Sequence, residues 1–155
     1  MTAAPLSIAD LEDEERLLVL PRFTHEEVWL LGSRLAERAR RDRHPVMIDI
    51  RRTTGVLFRA AMAGTTADQD AWIDRKSATA FRFEASTLLV GLRMEADGRD
   101  PFADGWLDPA RYTLAGGAVP IRVAGAGVVA VATVSGLSSQ EDHALVVDEL
   151  RTLRG

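Results

Sequence analysis

The 155-residue sequence contains no cysteine, and this absence excludes disulfide bridges, thiolate zinc sites and cysteine nucleophiles. No apolar run reaches the ~20 residues that a membrane-spanning helix requires. The longest run, Gly127 to Val134, has the length of a strand. Basic residues are not in excess, since 23 acids face 19 bases and give a formal charge of -4. This balance argues against a nucleic-acid partner.

Lysine is almost absent, because Lys76 is the single lysine and the other 18 basic residues are arginines. A composition rich in arginine and alanine and poor in lysine is typical of GC-rich coding sequences. Codon bias therefore explains why the other bases are arginine. Lysine is a compact, mobile point charge rather than a rigid fork, so Lys76 is an exception whose chemistry deserves a test.

The length and the 46% content of hydrophobic residues predict one folded domain over residues 1–155, with a substantial core. The first residues, Met1 to Asp13, lack a basic start and turn acidic at once, which is not typical of a secretory signal. We therefore expect a cytoplasmic protein without a membrane partner.

A first hairpin is indicated by two strands of alternating pattern, around 46–51 and 56–62. A three-residue loop, Thr53-Thr54-Gly55, keeps the apolar faces together, whereas a two-residue loop mixes them. Gly55 is expected to supply the left-handed residue of this loop. The predicted pairs are Ile50 with Phe58, Ile48 with Ala60, and Asp49 with Arg59.

A second hairpin is indicated around Gly125-Ala126, where glycine in first position fits a type II′ turn. This turn predicts that Val123 pairs with Val128 and that Ile121 pairs with Ala130. The following stretch, Val128 to Val134, is apolar on both faces, which predicts a central strand covered on both sides.

Helices are predicted between and around these hairpins by apolar spacing and by capping residues. Thr24 with Glu27, and Ser138 with Glu141, are capping boxes at two helix starts; Thr66 or Asp68 is available as a third N-cap. The predicted order is helix, helix, hairpin, two helices, hairpin, helix. The predicted helical segments are Leu6–Leu20 with an apolar end at 17–20, a helix from Thr24, Thr66–Phe83, Ser86–Ala96, and a helix from Ser138. This order predicts an α+β domain with a mainly antiparallel central sheet.

Two features of the sequence predict neither a nucleotide site nor a metal site. Gly125 to Ala130 matches a dinucleotide-binding pattern, but it opens a β-branched strand rather than the helix whose amides hold pyrophosphate. The three histidines, His25, His44 and His143, have no metal-ligand spacing, and no metal site is predicted. His143 remains a candidate ligand or proton carrier in the first turn of the last helix.

The most informative segment is Gly64 to Lys76, a loop that leads into a helix. Trp72 and Lys76 share one face of that helix, while Arg75 and Arg82 share another. A small anion or carboxylate could dock against this basic and aromatic surface. In the alternative interpretation, the helix is simply amphipathic, with Trp72 in the core and Arg75 paired with an acid.

Several short motifs occur in an order that resembles a known family. They are Ile48-Asp49-Ile50-Arg51, Gly64-Thr65-Thr66, Trp72 to Lys76, Arg82-Phe83, Gly116 to Ile121, Val134 to Leu137, and Glu141-Asp142-His143. Together they resemble the haem-degrading-domain family, in its small and largely uncharacterised branch of GlcG-like and HbpS-like proteins. The resemblance implies an α+β fold of profilin-like appearance and a homo-oligomer. It also implies haem as a cofactor, since some relatives bind or degrade haem.

The sequence departs from the family pattern at residues that bear on haem. Ala115 stands where a histidine usually precedes the paired glycines, so one obvious haem ligand is missing. Ala63 and Gln69 replace a usual proline and asparagine. The resemblance leaves as ligand-binding candidates Trp72, Arg75, Lys76, Arg82 and His143. Three functions stay open: a protein that binds or degrades haem, a non-catalytic oligomeric scaffold or small-ligand-binding protein, and an enzyme acting on a small carboxylate.

Overall fold

A computed structural model describes residues 4–155 of the chain. Within them, five helices and four of five strands follow the predicted order, and the strand β1 was not predicted. The elements are α1 (Ile8–Leu17), β1 (Val19–Leu20), α2 (His25–Arg41), β2 (Met47–Arg52), β3 (Gly55–Ala61), α3 (Asp68–Phe83), α4 (Thr87–Ala96), β4 (Ala118–Val123), β5 (Gly127–Ser135) and α5 (Ser139–Arg154). Both predicted hairpins are present, as β2–β3 and β4–β5.

The strands form one sheet in the order β1-β4-β5-β2-β3. Every neighbouring pair is antiparallel except β1 with β4, so the predicted α+β class with a mainly antiparallel sheet is confirmed. The apolar run predicted as the end of the first helix instead supplies β1. Val19 and Leu20 pair with Arg122 and Val123, because leaving the helix lets Leu20 be buried while its carbonyl accepts from Ala124.

The first hairpin has the predicted pairs but not the predicted loop. Asp49 pairs with Arg59, as expected, and the two apolar pairs beside it are also as expected. The loop prediction was wrong, because Arg52 pairs with Gly55 and leaves a two-residue loop. A register shift next to Ile50, where β3 carries the extra residue Leu57, restores the pairing of the faces. Gly55 consequently does not adopt a positive φ.

The second hairpin also contains a register shift. Ile121 pairs with Ala130 as predicted, but Val123 pairs with Gly127 and not with Val128. The predicted two-residue turn was wrong, since the loop contains three residues and Gly125 and Gly127 both have positive φ. One extra residue in β5 then brings the apolar residues back into register. β5 is the middle strand of the sheet, as its sequence predicted.

Helix starts follow the capping prediction in two places and depart from it in a third. Thr24 and Glu27 form the predicted capping box of α2. At α5 the predicted N-cap Ser138 accepts a hydrogen bond from the Glu141 amide, but within residues 4–155 the Glu141 side chain does not complete the predicted box. The N-cap of α3 is Ala67, which makes no side-chain cap. The predicted caps Thr66 and Asp68 fail there because Ala67 already has helical dihedrals and the Gln69 amide bonds the carbonyl of Thr66.

The two faces of the sheet are covered differently. Helices α2 and α5 pack on one face and enclose the main apolar core. That core includes Leu31, Leu35, Val46, Ile48, Ile50, Val119, Ile121, Ala130, Ala132, Val134, Val146 and Leu150. Helix α3 packs on the opposite face, where Ala80, Ala118 and Val131 form only a small apolar contact. We call these the α2/α5 face and the α3 face.

Candidate ligand site on the α3 face

The single lysine lies on the inner side of α3, under the sheet. Lys76 is 3% exposed, and its Nζ donates to Asp142 Oδ2 at 3.0 Å and to the carbonyl oxygen of Val134 at 3.2 Å. A buried ammonium needs such partners, because it loses its hydration on leaving water. Lys76 therefore joins α3 to the end of β5 and to the first turn of α5.

Asp142 is the centre of the hydrogen bonds at this junction. Its Oδ1 accepts from the Leu137 amide at 3.0 Å, and its Oδ2 accepts from the Gly136 amide at 3.3 Å as well as from Lys76. Asp142 is 1% exposed. The carboxylate is thus neutralised by the lysine, and both of its oxygens are occupied by protein donors.

Two glycines of the sequence motifs allow this close packing. Gly117 has φ +134, and a Cβ there would lie 2.3 Å from the Val134 oxygen and 2.9 Å from Lys76 Nζ. Gly136 has φ +148, and its Cβ would lie 2.4 Å from the oxygen of Pro45. Neither position has room for a side chain, and both conformations favour glycine. These motif glycines therefore let the backbone approach the lysine and the strand ends.

Burial moves the pKa values of the two charged groups toward each other. Desolvation lowers the pKa of Lys76, and the nearby carboxylate of Asp142 only partly opposes this. Desolvation raises the pKa of Asp142, against the opposing effects of Lys76 and of the Leu137 and Gly136 amides. The energy needed to pass a proton between Nζ and Oδ2 is therefore smaller than it would be in water.

A cavity of about 200 Å³ opens beside this ion pair. Its lining consists of Gln69, Trp72, Lys76, Ala115, Ser135, Gly136, Leu137, Ser139 and Asp142. Ser135 Oγ donates to Gln69 Oε1 at 2.8 Å, which leaves the amide nitrogen of Gln69 as a donor. Ser139 Oγ accepts from the Gly116 amide at 3.0 Å, so its own proton is also a donor. The cavity wall thus offers donors, while its carboxylate is occupied.

Two more predicted residues lie at or near the rim of the cavity. Trp72 lines it, is half-buried, and donates from Nε1 to Asp68 at 3.2 Å. The guanidinium of Arg75 lies over the Trp72 ring, 4.1 Å from the ring centroid. Among residues 4–155 it has no acidic partner, although the alternative interpretation expected one. The interaction between the cation and the indole ring fixes the outer wall of the cavity.

The structure does not bring the other two predicted residues to this cavity. Arg82 is exposed on a later turn of α3, with its guanidinium 5.0 Å from the ring centroid of Tyr112. His143 is buried on another side of α5, because neighbouring helical residues point about 100° apart. Its Nε2 lies 2.7 Å from Glu14 Oε1, and Arg151 lies 3.4 Å from the other oxygen of Glu14. His143 therefore joins α1 to α5.

Sequence reasoning missed the residues that complete the cavity. The sequence indicates Asp142 only as part of a motif, with no predicted role, and it does not single out Ser139. One signal was available. A lysine that is buried on the apolar face of a helix needs an acidic partner, and Asp142 follows a glycine turn next to one of the family motifs.

A second charged cluster occupies the same α3 face at β2 and β3. Asp49 is fully buried and accepts from Arg51 at 2.7 and 3.0 Å and from Arg59 at 3.1 Å. The two guanidinium groups continue outward, Arg51 to Asp74 at 3.0 Å and Arg59 to Asp70 at 2.8 Å. Each arginine of this network is thus paired at both ends with protein carboxylates, and the outer ones, Asp74 and Asp70, are in contact with solvent. It shares no residue with the cavity lining.

Residues 4–155 contain no group of three or more histidine, aspartate or glutamate side chains arranged to hold a metal ion. None of the helices in this range combines the length and the apolar character needed to cross a bilayer.

Comparison with known proteins places the chain in a family. Residues 23–151 match the family described as haem degrading protein HbpS-like. A UPF0303 protein of Streptomyces avermitilis is 50% identical over 148 residues, covering 96% of this chain and 91% of the relative. A second, from Streptomyces coelicolor, is 46% identical over 157 residues, covering 100% and 99%.

Solved structures agree with this assignment. The Ybr137w protein has a TM-score of 0.88 at 32% identity, over 97% of this chain and 89% of that one. HbpS has a TM-score of 0.66 at 20% identity, over 86% and 91%. A PduOC:heme complex has a TM-score of 0.69 at 16% identity, over 83% and 93%, and shares the fold. The chain therefore belongs to the HbpS-like family of haem-degrading proteins, as its motifs suggested.

Proposed function

We propose that this protein binds a small carboxylate-bearing molecule in the cavity beside Lys76. The observation that carries this proposal is the set of hydrogen bonds made by the single lysine, Lys76. An ammonium has three N–H donors, and within residues 4–155 Lys76 uses two of them, to Asp142 and Val134. The third is available to an oxygen of a ligand, in a cavity that Lys76 lines.

The other polar groups of the wall support an acceptor-rich ligand. The side-chain amide of Gln69 and the hydroxyl of Ser139 each keep a donor for which residues 4–155 supply no acceptor. Asp142 does not repel a bound carboxylate strongly, because Lys76 neutralises its charge and two backbone amides bind its oxygens. A carboxylate accepts several hydrogen bonds at once, and charged acceptors make the stronger ones.

The size of the cavity limits the ligand. Its volume of about 200 Å³ is below the ~300–1,000 Å³ of pockets that hold drug-sized molecules. An acid of a few carbon atoms fits this space. The indole ring of Trp72 at the rim suits the apolar part of such a molecule.

Haem is the ligand that the family suggests, and the residues of this cavity do not fit it. Haem iron takes an axial histidine, cysteine, methionine or tyrosine, and the cavity lining contains none of them. His143 is engaged with Glu14 elsewhere. Haem binding stays a prediction of the family resemblance. A saturable Soret shift that Lys76→Leu abolishes would overturn the proposal that this cavity takes only a small ligand.

Calorimetric titration tests the proposal. The probes are L-lactate and its uncharged amide, lactamide, which differ in the carboxylate. We expect saturable binding of lactate, weaker binding of lactamide, and a loss of about tenfold in lactate affinity for Gln69→Leu, which removes one donor. Arg82→Ala is the matched control on the same helix, and its affinity should equal that of the wild type. Equal binding of lactate and lactamide, or none of either, would contradict the proposal.

A non-catalytic homo-oligomer is the second candidate, and exposed apolar side chains favour it. Trp29 is 61% exposed and packs edge-on against Phe58, and Val56 of the same region is 50% exposed. β3 is an edge strand with unpaired backbone groups on its outer side. Sedimentation velocity tests this surface: Trp29→Ser with Val56→Asp should reduce the size of the assembly.

The predicted cytoplasmic location rests on the sequence, and cell fractionation tests it.

A further inference from the structure

We propose that Lys76 is an amine nucleophile that condenses with the ketone of a small 2-oxo acid to form an imine. This inference rests on the proposed function, because it places the same class of carboxylate in the same cavity. It adds a covalent step and names the carbonyl next to the carboxylate as the group that reacts.

The hydrogen bonds of Lys76 direct its reactive position. Val134 and Asp142 hold two of the three positions around Nζ, at 3.2 and 3.0 Å. Gly117 leaves room for Nζ on another side, since a Cβ there would lie only 2.9 Å from it. Lys76 is 97% buried and yet lines a cavity that opens to solvent. The remaining position is therefore the one from which Nζ can reach a molecule in the cavity.

Asp142 supplies the proton transfers that imine formation requires. Asp142 Oδ2, 3.0 Å from Nζ, first takes one ammonium proton and leaves a lone pair on the nitrogen. This lone pair forms the N–C bond while a second proton passes from nitrogen to the ketone oxygen, which gives a carbinolamine. Asp142 then returns the first proton to the hydroxyl group. This group leaves as water with the C–O bonding pair while the nitrogen lone pair forms C=N.

The atoms and charges of this sequence balance. Two ammonium hydrogens and the ketone oxygen leave as water, and the third hydrogen stays on the imine nitrogen. The positive charge stays there too, beside the carboxylate of Asp142. Desolvation favours these transfers, because it lowers the pKa of Lys76 and raises that of Asp142. Gln69 and Ser139 remain as donors for the carboxylate of the oxo acid.

The composition of the chain makes the test simple, since Lys76 is the only lysine. The protein is incubated with pyruvate and sodium cyanoborohydride, digested, and mapped by mass spectrometry. Reduction of the imine converts Lys76 to a carboxyethyl-lysine. We expect saturable labelling of the peptide that contains Lys76. Its rate should exceed that at the N-terminal amine by at least about tenfold.

L-lactate provides a control that needs no variant. It has the size and charge of pyruvate but no ketone, so it should bind and slow the labelling of Lys76 by competition. Lys76→Met removes the amine, and labelling at this peptide should disappear. Labelling of the N-terminal amine alone, or labelling of Lys76 that saturating lactate does not slow, would overturn the inference.

The two proposals fail in distinguishable ways. If lactate and pyruvate both bind by calorimetry and Lys76 is not labelled, imine formation is wrong and carboxylate binding stands. If neither acid binds and Lys76 is not labelled, both proposals are wrong. The variant Asp142→Asn further separates carboxylate binding from imine formation. Provided that its unfolding transition shows it folded, it should still bind lactate and should label Lys76 at least about tenfold more slowly.

Discussion

The two faces of the central sheet use the same strands for different purposes. On the α2/α5 face, residues such as Ile48 and Val134 are fully buried in an apolar core. On the α3 face, Asp49 and Thr133 occupy the positions next to them. Adjacent residues of a strand point to opposite faces, so an alternating sequence separates the two environments. One face stabilises the fold, and the other holds charges at known positions.

This contrast shows where stability and function divide in the molecule. Burial of apolar side chains contributes about 1.5–3 kcal/mol each. A buried ion pair contributes little or nothing net, because desolvation offsets the attraction. The Lys76–Asp142 pair is therefore expected to add little net stability, and it lines the cavity in which we propose that a carboxylate binds.

The largest expected loss of stability comes from breaking the buried pair on the α3 face. Lys76→Met leaves Asp142 buried without its counter-charge, and we expect the free energy of unfolding to fall by about 4 kcal/mol. Urea denaturation measures this loss. The double variant Lys76→Met with Asp142→Asn removes both charges and should recover at least ~1 kcal/mol. A double variant as unstable as the sum of the two single variants would contradict a coupled pair.

A somewhat smaller loss is expected on the α2/α5 face. Leu35→Ala creates a cavity in the apolar core and should lower the free energy of unfolding by about 3 kcal/mol. Lactate affinity should not change, because Leu35 lies on the opposite side of the sheet from the ligand cavity. The contrast between the faces breaks down if Leu35→Ala weakens lactate binding in protein that remains folded.

The charged network of β2 and β3 should respond less strongly. Asp49→Asn keeps the shape of a fully buried side chain but weakens its bonds to Arg51 and Arg59, and should cost about 2 kcal/mol. Asp74, the outer partner of Arg51, has a side chain that is 64% exposed, and Asp74→Asn should cost less than ~0.5 kcal/mol. Paired urea denaturation curves compare the two. Equal losses would show that burial does not set the strength of this network.

An effect smaller than that of Asp49→Asn is expected at the start of α2, and it depends on pH. A hydrogen bond from the Thr24 hydroxyl, together with the Thr24 amide and Arg22, lowers the pKa of Glu27 from its ordinary 4.5 to about 2. The charged form therefore stabilises the folded protein above pH 4.5, and this contribution is lost as the pH falls toward 2. Glu27→Gln should cost about 1 kcal/mol at pH 7. Thermal melts should show this difference from the wild type shrinking between pH 4.5 and 2.

Much of the fold was predictable, because local patterns determine it. The alternation of apolar and polar residues at 46–51 predicted the pairing of Asp49 with Arg59. The capping residue Thr24 predicted the start of α2. The predicted lengths of the two hairpin loops, next to Gly55 and at Gly125, were wrong. A register shift of one residue has the same pattern in the sequence as a longer loop, and cross-strand packing alone decides between them.

The candidate site was predictable only in part. The segment from Trp72 to Lys76 was identified, and the structure places both of these residues at one cavity. His143 and Arg82 were grouped with them because they share motifs and charge, but side-chain direction separates them. Asp142 acts across 66 residues of sequence, and spacing within one helix cannot reveal such a contact.

The most direct test is calorimetric titration of L-lactate into the double variant Lys76→Met with Asp142→Asn, beside the wild type. The variant removes the charges of the α3 face next to the cavity and leaves the α2/α5 core intact. The account predicts saturable binding to the wild type and none to a double variant that still unfolds cooperatively. Lactate affinity in the folded double variant equal to that of the wild type would contradict it.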